Sequence, residues 1–244
     1  MSNNILIKYD DFSHSSIHLN YDAAILDGKL LLTPSWENKS ASAYYNGQIN
    51  LSDNGSFSTY FVFKIQRNEP SRGDGFTFIV QANDISSIGE YGSNLGYNNI
   101  KNSLAIEFDT FLNPTIFDFT NNHVAIDTGG SVIHLNYLDV VDLDAEKYDL
   151  APIPSIPYYV WVDYNGSTHT LEIRFNNSKD RPLSPILAKN IDLIGILGKE
   201  NVYVGFTAGT GSQYEEHQIL SWYFDNKYNP INIQTRGIKF ENIP

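Results

Sequence analysis

The chain contains no cysteine, so a disulfide framework, a thiolate nucleophile and a zinc–thiolate site are excluded. It has one methionine and no stretch rich in Ala, Leu, Glu and Lys, so long helices are not expected. Basic residues are scarce: 16 Lys and Arg stand against 28 Asp and Glu, a formal charge of −12. Without a Lys/Arg cluster, the acidic balance argues for no nucleic acid partner. No apolar run approaches the roughly 18–20 residues of a membrane span, so no membrane span is expected. The opening Met1-Ser2-Asn3-Asn4 has no basic region followed by an apolar stretch. No secretory signal is therefore expected, and secreted and cytoplasmic locations both stay open. Internal repeats, linkers and low-complexity segments are missing as well.

What is present points to strands. Of the 244 residues, 41% are hydrophobic and only 18% charged, enough apolar material for a real core. Aromatics make up 14%, with 16 Tyr, 14 Phe and 3 Trp, and such residues suit pleated surfaces. Strand-like runs fall near residues 5–9, 29–33, 56–65, 75–81, 103–111, 123–127, 158–164, 169–175, 201–208 and 218–224. Gly, Asn, Asp, Ser and Pro separate them. Asn165-Gly166 reads as a hairpin turn. Residues 192–198 form the one plausible helical turn, which Gly195 weakens. The pattern predicts a single all-β domain, an antiparallel sandwich or barrel.

The stretch that carries chemistry begins at Glu107 and Asp109, followed by Phe111, Asn113, Asp118 and His123. On a strand, Glu107 and Asp109 share a face, about 6–7 Å apart. Their flanks, Leu104, Ile106, Phe108 and Phe111, are apolar, so two carboxylates here repel and lose hydration. A cation between them relieves both costs. Asp109, Asn113, Asp118, a carbonyl and waters could satisfy Ca2+. Glu107, Asp109, Asp118, His123 and waters suit Mn2+ better than tetrahedral Zn2+. For any one residue, a solvated carboxylate or a satisfied core histidine is the default reading; five together inside an apolar strand are not explained that way.

These residues carry a resemblance. Glu107-x-Asp109-x-Phe111-x-Asn113, with Asp118 and His123 at steps of five, resembles the metal-binding segment of the legume-type (L-type) lectins. Most of the chain joins in. Segments 28–33 and 56–63, Gly73-Asp74-Gly75-Phe76-Thr77-Phe78, His123-Val124-Ala125-Ile126-Asp127, Val204–Ala208 and Leu220–Phe224 each resemble family strands.

The resemblance implies a jelly-roll (concanavalin-like) β-sandwich that binds glycans or glycoconjugates without catalysis. It implies Mn2+, or another divalent transition metal, on Glu107, Asp109, Asp118 and His123. It implies Ca2+ on Asp109, the Phe111 carbonyl, Asn113 and Asp118. Asp74 would accept hydrogen bonds from two sugar hydroxyls, Asn113 would meet sugar and calcium with opposite ends of its amide, and Phe111 would pack on the pyranose. Backbone amides would come from the loop at Gly92 and Ser93, where the family usually has two glycines, and from Ser212 and Gln213. A cis peptide is implied at Gly73–Asp74, with the ions ordering Asn113 and the Asp74 loop. The span from Thr207 to Trp222 resembles the shorter loops of mannose/glucose-binding members. A homo-oligomer is implied through the back sheet. Residues 1–224 would form the lectin sandwich and 225–244 a C-terminal extension, with extended stretches at 231–234 and 238–240.

Three other readings compete. A jelly-roll glycoside hydrolase needs a second acidic residue where Leu112 stands. A sugar-silent relative acting through protein contacts would tend to lose the metal loop or Asp74, and both are intact. The membrane-anchored cargo-receptor branch, locally similar at Gly73-Asp74-Gly75, would need a C-terminal span and usually cysteines. The remaining histidines, His14, His18, His134, His169 and His217, read as surface or core residues, and the acidic run 139–144 as a solvated loop.

Overall fold

A computed structural model of the chain describes residues 6–67 and 71–230. The described residues form two eight-stranded antiparallel sheets packed face to face. The back sheet contains β1 (Leu6–Tyr9), β3 (Ala24–Leu26), β4 (Lys29–Thr33), β7 (Phe57–Gln66), β12 (Tyr158–Asn165), β13 (Thr170–Asn176), β14 (Leu187–Asn190) and β16 (Glu216–Asp225). The front sheet contains β2 (Ile17–Tyr21), β5 (Ser40–Tyr45), β6 (Ile49–Asn50), β8 (Gly75–Gln81), β9 (Ser103–Asp109), β10 (His123–Thr128), β11 (Val140–Asp142) and β15 (Asn201–Gly209). Its order is β11-β10-β9-β8-β15-β5-β2, with β6 paired to β15; the back order is β14-β13-β12-β7-β16-β4-β3, with β1 paired to β16. The expected sandwich is thus the observed architecture.

Alternation builds the core. In β9, Leu104, Ile106 and Phe108 point between the sheets, where they meet Phe61 and Phe63 of β7 and Phe206 of β15. Phe76 and Phe108, opposite each other on β8 and β9, stack at 4.8 Å and 9°. The period of two sends Ala105, Glu107 and Asp109 to the other face. That face is covered too, by a cluster containing Tyr44, Ile79, Leu95, Tyr97, Ile100, Ala105 and Val132. Every residue of β9 is consequently buried.

The helical expectation holds in a short form, α2 (Leu193–Leu197), preceded by a single turn, α1 (Ser52–Gly55). Asp192 caps α2 by accepting from the Gly195 N–H at 3.0 Å, and Gly198 closes it at φ +73°. Gly195 proves to be part of the cap rather than a weakness: a Cβ there would lie 2.5 Å from Asp192 Oδ2. The strand expected over 103–111 stops at Asp109, because the Phe111 N–H turns back to Asp109 Oδ1 at 2.6 Å. Six short strands, β2, β3, β5, β6, β11 and β14, were not legible in the residue pattern. One lies in the acidic run: Val140–Asp142 pairs with β10, so that segment is an edge strand and not a solvated loop. The stretches expected at 231–234 and 238–240 lie outside the described residues.

Candidate functional site

Four strand ends meet at one end of the front sheet. β8 and β10 begin there while β9 and β15 end there, with Asp109 opposite both His123 and Gly75, and Gly75 opposite Gly209. Asp74, Asp109, His123 and Thr210 are therefore neighbours by register alone. The loop 110–122 and the segment after β10 fold over them. Gly129 and Gly130, at φ +67° and +75°, turn the chain back so that Val132 joins the outer cluster and the His134 N–H reaches Ile116 O at 3.1 Å. Gly130 cannot be replaced here, since a Cβ would sit 2.6 Å from Ile100 N.

The expected metal residues converge. Glu107, Asp109 and His123 are fully buried, and Asp118 nearly so. Asp118 Oδ2 accepts from the Asn113 N–H at 2.7 Å, closing the loop as a compact turn. The Thr120 carbonyl lies 3.0 Å from His123 Nδ1. A carbonyl only accepts, so Nδ1 carries the proton and Nε2 presents its lone pair. Nε2 lies 3.6 Å from Glu107 Oε1. Glu107 Oε1, Asp109 Oδ2, Asn113 Oδ1 and His123 Nε2 are buried and have no hydrogen-bond partner among the described residues. Buried lone pairs are seldom left unsatisfied, and these four are the atoms a divalent ion would take. The donor set, carboxylates, an amide oxygen and imidazole, suits a hard cation beside a nitrogen-accepting one.

Two residues to which the sequence reading gave no role sit in the same cluster. His134, read as a surface or core histidine, is buried with Nε2 3.1 Å from Glu107 Oε2 and Nδ1 3.1 Å from Asp118 Oδ1. Its Nε2 is also 3.4 Å from Asp127 Oδ1. Asp127 was detectable, because a period of two puts it on the same face of β10 as His123. His134 carried no comparable signal, since its arrival depends on the glycine turn.

The electrostatics follow from crowding. Burial, then the charges of Glu107 and Asp118, push the Asp109 carboxyl well above the usual range. Burial and Glu107 do the same to Asp127. For Glu107, burial, which would raise it, is outweighed by the neighbouring Asp127, His123 and His134, which hold it below the usual range. His134 is raised despite burial, by Asp118, Asp127 and Glu107. Without a cation the cluster must hold protons, and a bound ion would displace them.

The expected sugar residues lie alongside. The Gly73–Asp74 peptide is cis. Asp74 O accepts from the Thr110 N–H at 2.8 Å, with the Thr110 hydroxyl oxygen 2.9 Å away, and Asp74 Oδ2 has no partner among the described residues. Burial raises its pKa to about 7; a hydrogen bond from the Gly211 backbone opposes this, and the charges of Glu215 and Asp118 add to it. Gly92 and Gly211 crowd its carboxylate, so that a Cβ on Gly211 would lie 3.0 Å from Asp74 Oδ2. Phe111 and Gln213 flank Gly73 within 3.5 Å of where a Cβ would stand. A depression of about 230 Å³ opens between Arg72, Phe111, Leu112 and Gln213. The Gly92 N–H is already donated to Thr210 O at 3.1 Å, so it is not a free donor. Ser212 is exposed and Gln213 partly so. Glu215, buried next to this site, accepts from the Thr110 hydroxyl and was not anticipated.

Comparison with known proteins agrees with this architecture. The family model of the legume lectin domain matches residues 5–238. L-type lectin-domain containing receptor kinase I.7 of Arabidopsis thaliana is 32% identical over 229 residues, covering 88% of this chain and 34% of that protein. Receptor kinase IV.1 of the same plant is 33% identical over 215 residues, 81% of this chain and 31% of that protein. The chain thus spans about a third of the length of these curated relatives. Among solved structures, the lectin from Bauhinia forficata in complex with GalNAc superposes with a TM-score of 0.77 at 25% identity, covering 91% of this chain and 98% of that one. Lectin I from Ulex europaeus, in complex with the methyl glycoside of α-L-fucose, gives 0.76 at 25% identity, with 92% and 98% covered. The chain belongs to the legume lectin family.

Proposed function

We propose that this chain binds glycans of the mannose/glucose class at Asp74, and that divalent ions make the site competent. The observation that carries the reading is the set of buried, unpartnered atoms on Glu107, Asp109, Asn113 and His123 beside the unpartnered Asp74 Oδ2. Ca2+ would be held by Asp109, the Phe111 carbonyl, Asn113 and Asp118, and a transition metal by Glu107, Asp109, Asp118 and His123. The ions supply the positive charge that these carboxylates lack. The chain's own groups then meet the sugar. Asp74 accepts from two adjacent hydroxyls, the Asn113 amide and the Ser93, Ser212 and Gln213 amides donate, and the Phe111 ring covers an apolar face. Gly92 serves by its lack of a side chain. A cradle ordered before the sugar arrives loses less entropy on binding.

Support for mannose/glucose comes from the short loop 210–215 between β15 and β16. The back sheet would carry self-association into a homo-oligomer. A glycan array run with and without calcium tests the reading, with sedimentation of the same sample for the assembly. Mannose- or glucose-terminated glycans binding only with calcium is the expected outcome. Galactose outcompeting mannose overturns the sugar class. Equal binding after chelation overturns the metal dependence, and no binding in either condition favours the sugar-silent relative.

A further inference from the structure

The transition-metal cluster contains one imidazole more than the expected ligand set. His134 and His123 each turn Nε2 toward a different oxygen of Glu107. The His123 Nε2 faces Oε1 at 3.6 Å and the His134 Nε2 faces Oε2 at 3.1 Å. Each ring also has an oxygen acceptor for Nδ1: Thr120 O at 3.0 Å for His123, and Asp118 Oδ1 at 3.1 Å for His134. An Nδ1–H held this way sets the tautomer in which Nε2 is the ligand atom, the arrangement usual for metal-bound histidine. The two rings stand perpendicular with centroids 5.2 Å apart, and Glu107, His123 and His134 offer ligand atoms within 4.8 Å of one another, all three residues buried. The backbone is committed to this placement, since the His134 N–H is tied to Ile116 O and the glycine turn before it has no room for side chains at Gly130.

We propose that His134 is a direct ligand of the transition-metal site, so that the site holds two imidazoles with Glu107 and takes a nitrogen-preferring divalent ion such as Zn2+, Co2+ or Ni2+ ahead of Mn2+. It rests on the metal-site reading above and narrows its transition metal. Affinity for imidazole rises from Mn2+ toward the later first-row ions, so a second imidazole in place of an oxygen donor moves the site along that order.

The test uses the full chain, stripped of metal with chelator. Calorimetric titration with Zn2+ and with Mn2+ gives the preference, and X-ray absorption of the Zn2+-loaded wild-type protein counts imidazoles without any substitution. Zn2+ is expected to bind at least about tenfold tighter than Mn2+, with two imidazoles on the ion. H134S is expected to show one imidazole and at least about tenfold weaker Zn2+ binding, while Ca2+ binding is retained. One imidazole in the wild-type spectrum, tighter binding of Mn2+ than Zn2+, or no uptake of any transition metal overturns the proposal. Mannose binding is measured on the same samples with calcium. Two imidazoles without glycan binding would leave His134 a ligand and defeat only the sugar reading; glycan binding with a single imidazole would do the reverse.

Discussion

At the scale of single residues, Asp74 shows how burial and function conflict. Its carboxylate lies beneath two glycines, with a pKa raised to about 7 by burial first and by neighbouring charge next. An amide of the same shape removes that buried charge. Asp74→Asn is therefore expected to leave thermal stability unchanged or slightly higher. The amide keeps only one acceptor oxygen, so one charge-assisted hydrogen bond worth about 1.5–3 kcal/mol is lost, and glycan affinity should fall roughly ten- to a hundredfold. Titration calorimetry beside a thermal melt checks both halves; an affinity equal to wild type would remove Asp74 from the site. Gly211 is a second probe. A Cβ at 3.0 Å from Asp74 Oδ2 would push on the carboxylate without touching the core, so Gly211→Ala should weaken the sugar more than the fold.

At the scale of elements, the site depends on what lies under it. β9 presents Glu107 and Asp109 on one face because Leu104, Ile106 and Phe108 anchor the other between the sheets. Phe108 is stacked on Phe76 and meets Phe63 at 5.2 Å. Phe108→Ala should cost about 3–5 kcal/mol through lost burial and a cavity, measured by denaturant unfolding. It should also loosen metal binding, since the ligands on either side share that strand. A loss below about 1 kcal/mol would mean that the sheets do not meet at this position. Elements also explain what the residue pattern could and could not convey. The long strands β7, β8, β9, β12, β15 and β16 have dense aromatic and β-branched inner faces, and their outlines were legible. Strands such as β5, with the sequence Ser-Ala-Ser-Ala-Tyr-Tyr, carry small residues whose strand character comes from pairing with β15 and not from their own preference.

At the scale of the molecule, the cluster of acids makes stability depend on pH and on divalent ions together. In the metal-free protein, Asp74, Asp109 and Asp127 have raised pKa values. The folded chain then holds protons that the unfolded chain releases above pH about 4. Folded-state proton binding exceeds that of the unfolded state, so stability falls as pH rises from about 4 to about 7 and is highest on the acid side of that window. His134, raised by its carboxylate neighbours, adds stability that is full below about 6.5 and is likewise lost as pH rises. A divalent cation should reverse the trend, since it binds the deprotonated folded form. At a concentration a hundred times Kd it adds about 2.7 kcal/mol. Melting temperatures at three pH values, with chelator and with saturating calcium and zinc, measure this. A chelated protein that melts higher at pH 7.5 than at pH 5 would contradict the linkage.

The chain alone determined the class of fold, most long strands and the residues Glu107, Asp109, Asn113, Asp118 and His123 as one constellation. Those features reside in local alternation and close spacing, which a linear reading can see. The tertiary structure alone decided that the outer face of β9 is sealed, that Gly92 spends its amide on Thr210, and that Glu215 backs the Thr110–Asp74 contact. It also decided that His134, eleven residues beyond His123 and across two glycines, returns to the same carboxylate. Such contacts depend on where a loop is carried by the packing beneath it, and no periodicity along the chain encodes that.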